Sequence, residues 1–174
     1  MVKRRKDTEN HYLELGSANL KRKMDENEIN AKLSNVSGYL GSFAINELES
    51  LHISHYPSFI VVNLDEREND GTHWISIAMY INDVYVCDSL GTLLPSVKFP
   101  TNLINFLYRI TFRRDFHITR QLQSLSSTYC GMFSVFFILF MSYNNNYTEF
   151  LSKFSTNLEL NDIIVNLYYK QSLF

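Results

Sequence analysis

The chain has 174 residues, of which 45% are hydrophobic and 14% aromatic, and its formal net charge is −2. This length allows one domain with a real core, and this composition excludes a disordered or fibrous chain. A slightly acidic chain does not support a globally basic nucleic-acid-binding protein. The two cysteines cannot build a disulfide framework, and we expect no signal peptide.

No stretch of the sequence is apolar for long enough to span a bilayer. The longest apolar run, Met132–Met141, has about ten residues and includes Ser134, whereas a spanning helix needs roughly 20. We therefore expect a protein without a membrane partner, located inside cells in a compartment where a free thiol survives.

The first residues differ in character from the rest. Residues 1–16 are charged and lack an apolar pattern, so we expect a mobile tail followed by a single domain at 17–174. The basic run at 3–6 matches a nuclear-import or nucleic-acid patch, but a solvated tail is the preferred interpretation.

Helix-forming residues follow the tail. We predict a helix from Ser17, as its N-cap, to about Leu33, and a second, short helix at 44–51. Between the two helices, Gly38 and Gly41 bracket a predicted turn.

The middle of the chain is rich in β-forming residues. Runs at 59–64, 73–81 and 84–89 predict three strands. Asn82-Asp83 predicts the hairpin turn between the last two strands.

Helices dominate the second half of the chain. A helix is predicted at 101–110, a loop and strand at 112–121, a long apolar helix from Cys130, and a further helical region from about residue 148. The predicted fold is therefore α+β, with a small, mainly antiparallel central sheet flanked by helices.

Cys130 lies at the N-terminus of the long apolar helix. There, backbone N–H groups and the helix dipole favour a negative charge, which lowers the pKa of a thiol and favours a thiolate nucleophile. An isolated buried cysteine is more often a small hydrophobic residue. A nucleophilic role therefore requires a partner that accepts the thiol proton.

Two upstream residues can supply that partner and its support. His73 begins a predicted strand and can act as general base, while Asp88 ends the next strand and can orient the imidazole. In an ideal two-residue hairpin about Asn82-Asp83, however, Asp88 pairs with Ile77, four residues from His73. Contact between His73 and Asp88 therefore requires a turn centred nearer residues 80–82, or a bend at Asp88.

A tetrahedral intermediate of acyl transfer carries an oxyanion that needs preorganised hydrogen-bond donors. The side-chain amide of Gln123 and the backbone N–H of Cys130 fit this need, and Gln121 is an equally polar neighbour. The next residue, Gly131, either lets a substrate backbone approach the thiol or serves packing.

Other groups of residues carry less functional information. His52 and His55 offer two metal ligands, but no cysteine or acid cluster completes a zinc site, so we expect no metal. Aromatic residues between 106 and 116 are more typical of a core than of a base-stacking platform. The sequence has no glycine-rich phosphate-binding loop.

Together, these residues resemble the adenovirus-type maturation cysteine proteases (adenain-like, peptidase family C5) and, more distantly, the ubiquitin-like-protein proteases. Gln123, rather than Gln121, lies at the distance from Cys130 that this family uses. The resembling segments lie at 38–43, 59–64, 71–74, 88–91 and 123–133.

The resemblance implies a papain-like or adenain-like cysteine protease fold with the nucleophile at a helix N-terminus. It further implies an endopeptidase that processes capsid or core precursor proteins of a virus or virus-like mobile element, at glycine-containing sites. Such an enzyme is expected in the host nucleus or cytoplasm and packaged in virions. The implied roles are nucleophile for Cys130, general base for His73, orienter for Asp88 and oxyanion donor for Gln123.

Cofactor use is where this chain departs from the adenovirus enzymes, which use DNA and a viral peptide joined by a disulfide to a second cysteine. This chain is slightly acidic, and its only other cysteine, Cys87, adjoins Asp88. We therefore expect the chemistry itself to need no cofactor. Beyond the protein substrates, an activating peptide and DNA stay open as partners.

Two other functions fit the same residues. A deconjugating protease for ubiquitin or ubiquitin-like modifiers would use the same catalytic set. A non-enzymatic binding or assembly protein with a protease fold would instead hold His73 far from the sulfur of Cys130 and leave that thiol unreactive.

Overall fold

A computed structural model describes residues 23–69, 71–91 and 100–171 of the chain. The tail predicted at 1–16 and the N-cap predicted at Ser17 lie outside the described residues. The described helices and strands are, in chain order, α1 (Glu26–Leu33), β1 (Tyr39–Ala44), a 3₁₀ turn (Ile45–Glu47), β2 (Ser58–Asn63), β3 (Trp74–Met79), β4 (Asp83–Cys87), α2 (Thr101–Thr111), β5 (Asp115–Ile118), α3 (Cys130–Asn144), α4 (Tyr147–Ser152) and α5 (Leu158–Gln171).

The described strands form one five-stranded sheet in the order β1-β2-β3-β4-β5. The two inner ladders, β2-β3 and β3-β4, are antiparallel, and the two outer ladders are parallel. Parallel neighbours need a crossover, which α2 contributes between β4 and β5. The predicted α+β class is confirmed, with a sheet that is mixed.

The first described helix starts later than predicted. Its N-cap is Asp25, whose carboxylate accepts a hydrogen bond from the Glu28 N–H at 2.8 Å, while the Glu28 carboxylate accepts one from the Asp25 N–H at 3.3 Å. Residues 23–25 are not helical, so a continuous helix back to Ser17 is wrong. This reciprocal capping box defines a helix start more sharply than composition does.

The next segment also differs from the prediction. Gly41 lies inside β1, at an irregularity in the pairing of β1 with β2, so a simple turn bracketed by Gly38 and Gly41 is wrong. The helix predicted at 44–51 is reduced to the 3₁₀ turn. Pairing with β2 outweighs local preference here, because tertiary contacts override weak propensities.

The sheet lies between two layers of helices. One face packs against α3 together with α1, α4 and α5, and receives Phe59 and Val61 of β2. The other face packs against α2 and the 3₁₀ turn, and receives Ile60 and Val62. Because both faces are covered, β2 is buried almost throughout and reads as a continuous apolar run rather than an alternating one.

The helix α3 is apolar on all sides, and every residue from Cys130 to Met141 is buried. A helix without a polar face is stable only in the interior, and α3 accordingly packs on β3 with α1, α4 and α5 around it. This burial holds its first residue, Cys130, in a fixed position beside the sheet. Among the described residues, no helix is both long and apolar enough to cross a membrane.

The β3-β4 turn lies one residue earlier than predicted. Met79 pairs with Val84 and β4 begins at Asp83, so Ile81 and Asn82 lie at the tip of the turn and its centre lies between them. The backbone N–H of Tyr80 donates to the carbonyl of Asp83 at 2.8 Å. A two-residue turn at Asn82-Asp83 is therefore wrong.

This turn sets the register that matters for the site. Cys87 pairs with Ser76, so the next residue, Asp88, falls opposite Ile75. Asp88 is thus displaced by two residues from His73 along the sheet, rather than by the four of the ideal hairpin. The strand also ends at Cys87, which frees the chain at Asp88 to turn toward His73.

Candidate active site

Cys130 is the first residue of α3 and is 8% exposed. Its backbone N–H is one of the first-turn donors that have no carbonyl partner within the helix. The backbone N–H groups of Trp74 and Gly131 donate to its sulfur. The sequence therefore folds so that the start of β3 and the start of α3 meet at this thiol.

His73 and Asp88 meet at the other side of the same point. The Nε2 atom of His73 lies 2.7 Å from Oδ1 of Asp88, and the two side chains are 7% and 0% exposed. The Nδ1 atom is buried and has no hydrogen-bond partner with ordinary geometry among the described residues. Since Nε2 is occupied, Nδ1 is the atom left to exchange a proton with Cys130.

The imidazole and the thiol shift each other's pKa. For His73, burial is the largest influence and favours the neutral ring, but the hydrogen bond to Asp88 and the interaction with Cys130 outweigh it and raise the pKa to about 9. For Cys130, burial again opposes ionisation, yet the interaction with His73 and two backbone N–H groups lower the thiol pKa. These shifts favour a thiolate–imidazolium pair near neutral pH.

Asp88 is itself held from two directions. Its backbone N–H donates to the hydroxyl of Thr119 at 3.1 Å, and that hydroxyl lies 3.1 Å from the carbonyl of Asp88. Its Oδ1 also accepts from the backbone N–H of Leu90 at 3.2 Å. The carboxylate that orients His73 is therefore itself preorganised, and the sequence reasoning missed Thr119.

Gln123 is fully buried, and both ends of its amide are oriented. The hydroxyl of Ser89 donates to Oε1 at 2.7 Å, and Nε2 donates to the carbonyl of Ser127 at 2.9 Å. An amide nitrogen carries two hydrogens, so one N–H remains for the adjacent cleft. Ser89 also escaped the sequence reasoning, although it directly follows Asp88.

The structure distinguishes the two candidate glutamines. Gln123 lines the cleft beside Cys130. Gln121 instead donates from Nε2 to the backbone carbonyl of Gln123 at 3.0 Å, and so supports its neighbour.

Gly131 serves packing. A Cβ at this position would lie 2.9 Å from the Cβ of Met24, closer than carbon atoms can approach without a shift. The carbonyl of Met24 also accepts a hydrogen bond from the indole N–H of Trp74 at 3.1 Å. The absence of a side chain at Gly131 thus lets the start of the described chain pack against the first turn of α3.

A cleft of about 350 Å³ opens beside Cys130. Thr128, which precedes α3, lines this cleft together with Met24 and Arg67. Arg67 forms ion pairs with both Glu26 and Glu47, which tie the β2-β3 loop to α1 and to the 3₁₀ turn. Arg67 thus links the lining of the cleft to two other elements.

The described residues contain no group of three or more histidine, cysteine or acidic side chains arranged to hold a metal ion. His52 lies on the surface with Nδ1 at 2.8 Å from the carbonyl of Ser50, and His55 contacts the Ser54 hydroxyl at 3.3 Å. The two histidines are thus engaged locally.

Three solved structures are similar to this chain at low sequence identity, and the first of them shares its fold. The central domain of an uncharacterized Legionella pneumophila protein, Lpg1148, superposes with a TM-score of 0.51 at 12% identity, over 86% of this chain and 95% of that chain. The SUMO protease Ulp1 with its catalytic cysteine oxidized to a sulfinic acid gives 0.39 at 18% identity, over 94% and 74%. The C-terminal Ulp1 protease domain in complex with Smt3, the yeast ortholog of SUMO, gives 0.34 at 15% identity, over 94% and 73%.

The sequence itself shows the family. No curated protein matches this chain significantly. The adenovirus endoprotease family matches it over residues 39–164, a range that includes His73, Asp88, Gln123 and Cys130. The resemblance predicted from the order of those residues is thereby confirmed: the chain belongs to the adenovirus endoprotease family and is a cysteine protease.

Proposed function

We propose that this protease is an endopeptidase that processes capsid or core precursor proteins of a virus or virus-like mobile element, at glycine-containing sites. Cys130 is the nucleophile, His73 the general base and acid, and Asp88 the orienter of His73. The Gln123 amide and the Cys130 backbone N–H stabilise the oxyanion. The observation that carries the proposal is the 2.7 Å His73–Asp88 contact beside a thiol whose pKa is lowered.

Acylation starts from the thiolate–imidazolium pair. The sulfur of Cys130 attacks the carbonyl carbon of the scissile bond, a C–S bond forms, and the carbonyl electron pair moves to oxygen. That oxyanion accepts hydrogen bonds from the Gln123 amide and the Cys130 N–H. As the C–N bond breaks, the imidazolium of His73 donates its proton to the departing amine and becomes neutral.

Hydrolysis of the thioester then restores the enzyme. Neutral His73 takes a proton from water while the water oxygen attacks the thioester carbonyl, and the C–S bond breaks to release the thiolate of Cys130. Asp88 holds Nε2 of the ring through both steps, which keeps Nδ1 directed at the reacting atoms. Every proton in this scheme moves between the protein, the substrate and water, so we propose that the chemistry needs no cofactor.

The shape of the cleft supports small residues next to the scissile bond. Cys130 is only 8% exposed, so a substrate carbonyl must approach the floor of the cleft to reach the sulfur. Met24 and Arg67, which line the cleft, are held by a hydrogen bond and by two ion pairs, respectively. A glycine has no Cβ to meet these residues.

The test compares fluorogenic glycine-containing precursor peptides with ubiquitin-like conjugates as substrates. We expect the wild-type protein to cleave the peptides, and Cys130→Ala to abolish cleavage with unchanged thermal unfolding. Cys87→Ala is the matched control and should retain activity, because Cys87 is buried in the sheet and burial raises its thiol pKa.

Cleavage by Cys130→Ala would refute the assigned nucleophile. Preferential cleavage of the conjugates would favour the deconjugating function instead. A wild-type protein that cleaves neither substrate, and whose Cys130 resists electrophiles, would favour the binding or assembly protein; the side-chain interaction between His73 and Cys130 speaks against this outcome.

A further inference from the structure

Gln123 lies in the short loop that precedes α3, and the loop itself orients its amide. The Nε2 atom donates to the carbonyl of Ser127 at 2.9 Å. Any shift of Ser127 therefore turns the remaining N–H of Gln123 away from the cleft. The geometry of residues 122–128 is thus part of the site.

This loop is held from outside the cleft by α5. The Oδ2 atom of Asp162 accepts from the hydroxyl of Ser124 at 2.5 Å and from its backbone N–H at 3.4 Å. The Oδ1 atom of Asp162 accepts from the hydroxyl of Ser127 at 3.1 Å. The carboxylate of Asp162 thus joins Ser124 and Ser127, which flank the segment 125–126. Ser127 is also the residue whose carbonyl accepts from the Gln123 amide.

The neighbouring residue of α5 strengthens the attachment. The Nδ2 atom of Asn161 donates to the carbonyl of Leu122 at 2.9 Å, and its Oδ1 accepts from the backbone N–H of Ser155 at 2.9 Å. Asn161 is fully buried. The residue immediately before Gln123 is therefore also fixed by α5.

A buried carboxylate destabilises the folded state unless it is hydrogen-bonded or paired with a cation. Asp162 is 1% exposed, and no cation of the described residues pairs with it. Burial raises its pKa to about 6, while the bonds from Ser124 and Ser127 oppose that rise. The ionisable neighbours that act on it or respond to it are Glu159 on α5 and Tyr129 before α3.

We propose that Asp162 is a positioning residue for the oxyanion hole: through Ser124 and Ser127, its carboxylate keeps the Gln123 amide in the orientation that receives the oxyanion. Asp162 does not line the cleft and acts only through this loop. The inference rests on the proposed function, because it assumes that Gln123 stabilises the oxyanion.

Loss of the Asp162 carboxylate should therefore lower the rate of the chemical step rather than substrate affinity. Removing an oxyanion donor typically costs about 10²–10³ in kcat. Loosening the donor should cost part of that, so we expect Asp162→Ala to lower kcat by roughly 10-fold or more. KM should change little, because the oxyanion exists only after attack has begun.

The test is a double-mutant cycle between Asp162→Ala and Gln123→Ala, measured as kcat on a glycine-glycine aminocoumarin peptide. If Asp162 acts through Gln123, the double variant is no slower than Gln123→Ala alone. Losses that multiply would overturn the inference. Asp162→Asn keeps the shape of the side chain and is combined with Gln123→Ala in a second cycle. Its double variant should likewise be no slower than Gln123→Ala, so the inference stays testable if Asp162→Ala folds poorly.

A second measurement separates positioning from collapse of the site. Alkylation of Cys130 by iodoacetamide needs the thiolate but no oxyanion hole, so Asp162→Ala should be alkylated at the wild-type rate. A parallel fall in alkylation and kcat would overturn the inference.

Lys170→Gln, an exposed change near the other end of the same helix, is the matched control and should leave kcat unchanged. Equal kcat for wild type and Gln123→Ala would refute the oxyanion role itself, and the inference with it.

Discussion

At the scale of single residues, each reactive group has a partner that leaves it one orientation. Asp88 holds the ring of His73, and Ser89 holds Oε1 of Gln123. Thr119 in turn holds the backbone of Asp88. Groups that are already oriented need no reorganisation when charge develops on the substrate, which is how enclosed polar sites lower a barrier.

The partners were harder to predict than the reactive groups. Cys130, His73, Asp88 and Gln123 follow from residue type, order and spacing along the chain. Ser89 lies 34 positions from Gln123, and Thr119 lies 31 positions from Asp88. Asp162 lies 38 positions from Ser124 and 35 from Ser127. The sequence around a serine, threonine or aspartate in a polar loop or helix does not indicate a contact with a residue so far along the chain.

The pKa shifts of the His73–Cys130 pair predict the pH dependence of alkylation. Because the thiol pKa is lowered and that of the imidazole is raised, wild-type Cys130 should react with iodoacetamide below pH 7. In His73→Ala the thiol loses its cation, and at pH 6.5 the rate should fall by on the order of 10²-fold, as expected for a thiol of ordinary pKa near 8.5. Mass spectrometry of the alkylated protein measures the rate at each pH.

Cys87 is the internal control for this experiment. Burial raises its pKa, so it should stay unlabelled in the folded protein at every pH tested. Identical pH profiles for wild type and His73→Ala would show that His73 does not activate the thiol.

At the scale of secondary-structure elements, the geometry of the site depends mainly on where the elements end and on how the strands pair. The strands β2 to β5, the helix α2 and the start of α3 lie close to where the sequence patterns predict them, whereas β1 replaces a predicted turn. The β3-β4 turn is displaced by one residue from the predicted centre. A one-residue displacement of the turn changes the pairing by two residues, which keeps every side chain on its face. It also brings Asp88 within reach of His73.

The capping box of α1 predicts a measurable stability effect. The helix has only eight residues, so it depends on its cap and its packing more than on propensity. Asp25→Ala should lower the free energy of unfolding by about 1 kcal/mol, since it removes the side-chain oxygen that accepts from the Glu28 N–H. Urea denaturation measures the change. Asp25→Asn should stay close to wild type because asparagine caps equally well, and equal losses in both variants would contradict the capping explanation.

At the scale of the whole molecule, the buried helix α3 joins the site to the core. It packs on the sheet through one side and on α5 through another, and α5 also carries Asp162. Cys130 and the loop that holds Gln123 are thus positioned by the same packed layer. Stability of this layer and geometry of the site are therefore linked.

Substitutions along α3 should show how strongly this packed layer contributes to the free energy of unfolding. Phe137 is fully buried and packs edge-to-face on Phe150, with ring centroids 5.0 Å apart. Phe137→Ala should lower the free energy of unfolding by about 3–5 kcal/mol, because it removes buried area and leaves a cavity. Tyr143, on the same helix, is 79% exposed, so Tyr143→Ala should change stability by less than about 0.5 kcal/mol. Similar effects in both variants, compared by chemical denaturation, would contradict the buried position of α3.

The sequence by itself determined the α+β class and the family, and it predicts the reactive residues. These follow from apolar periodicity and from the order of a few chemically distinct side chains, both of which are local properties of the chain. Only the tertiary structure decided the register that joins His73 to Asp88, the packing role of Gly131 and the hold of Asp162 on the Gln123 loop. These are contacts between distant segments, and their geometry depends on how the sheet and the helices pack together.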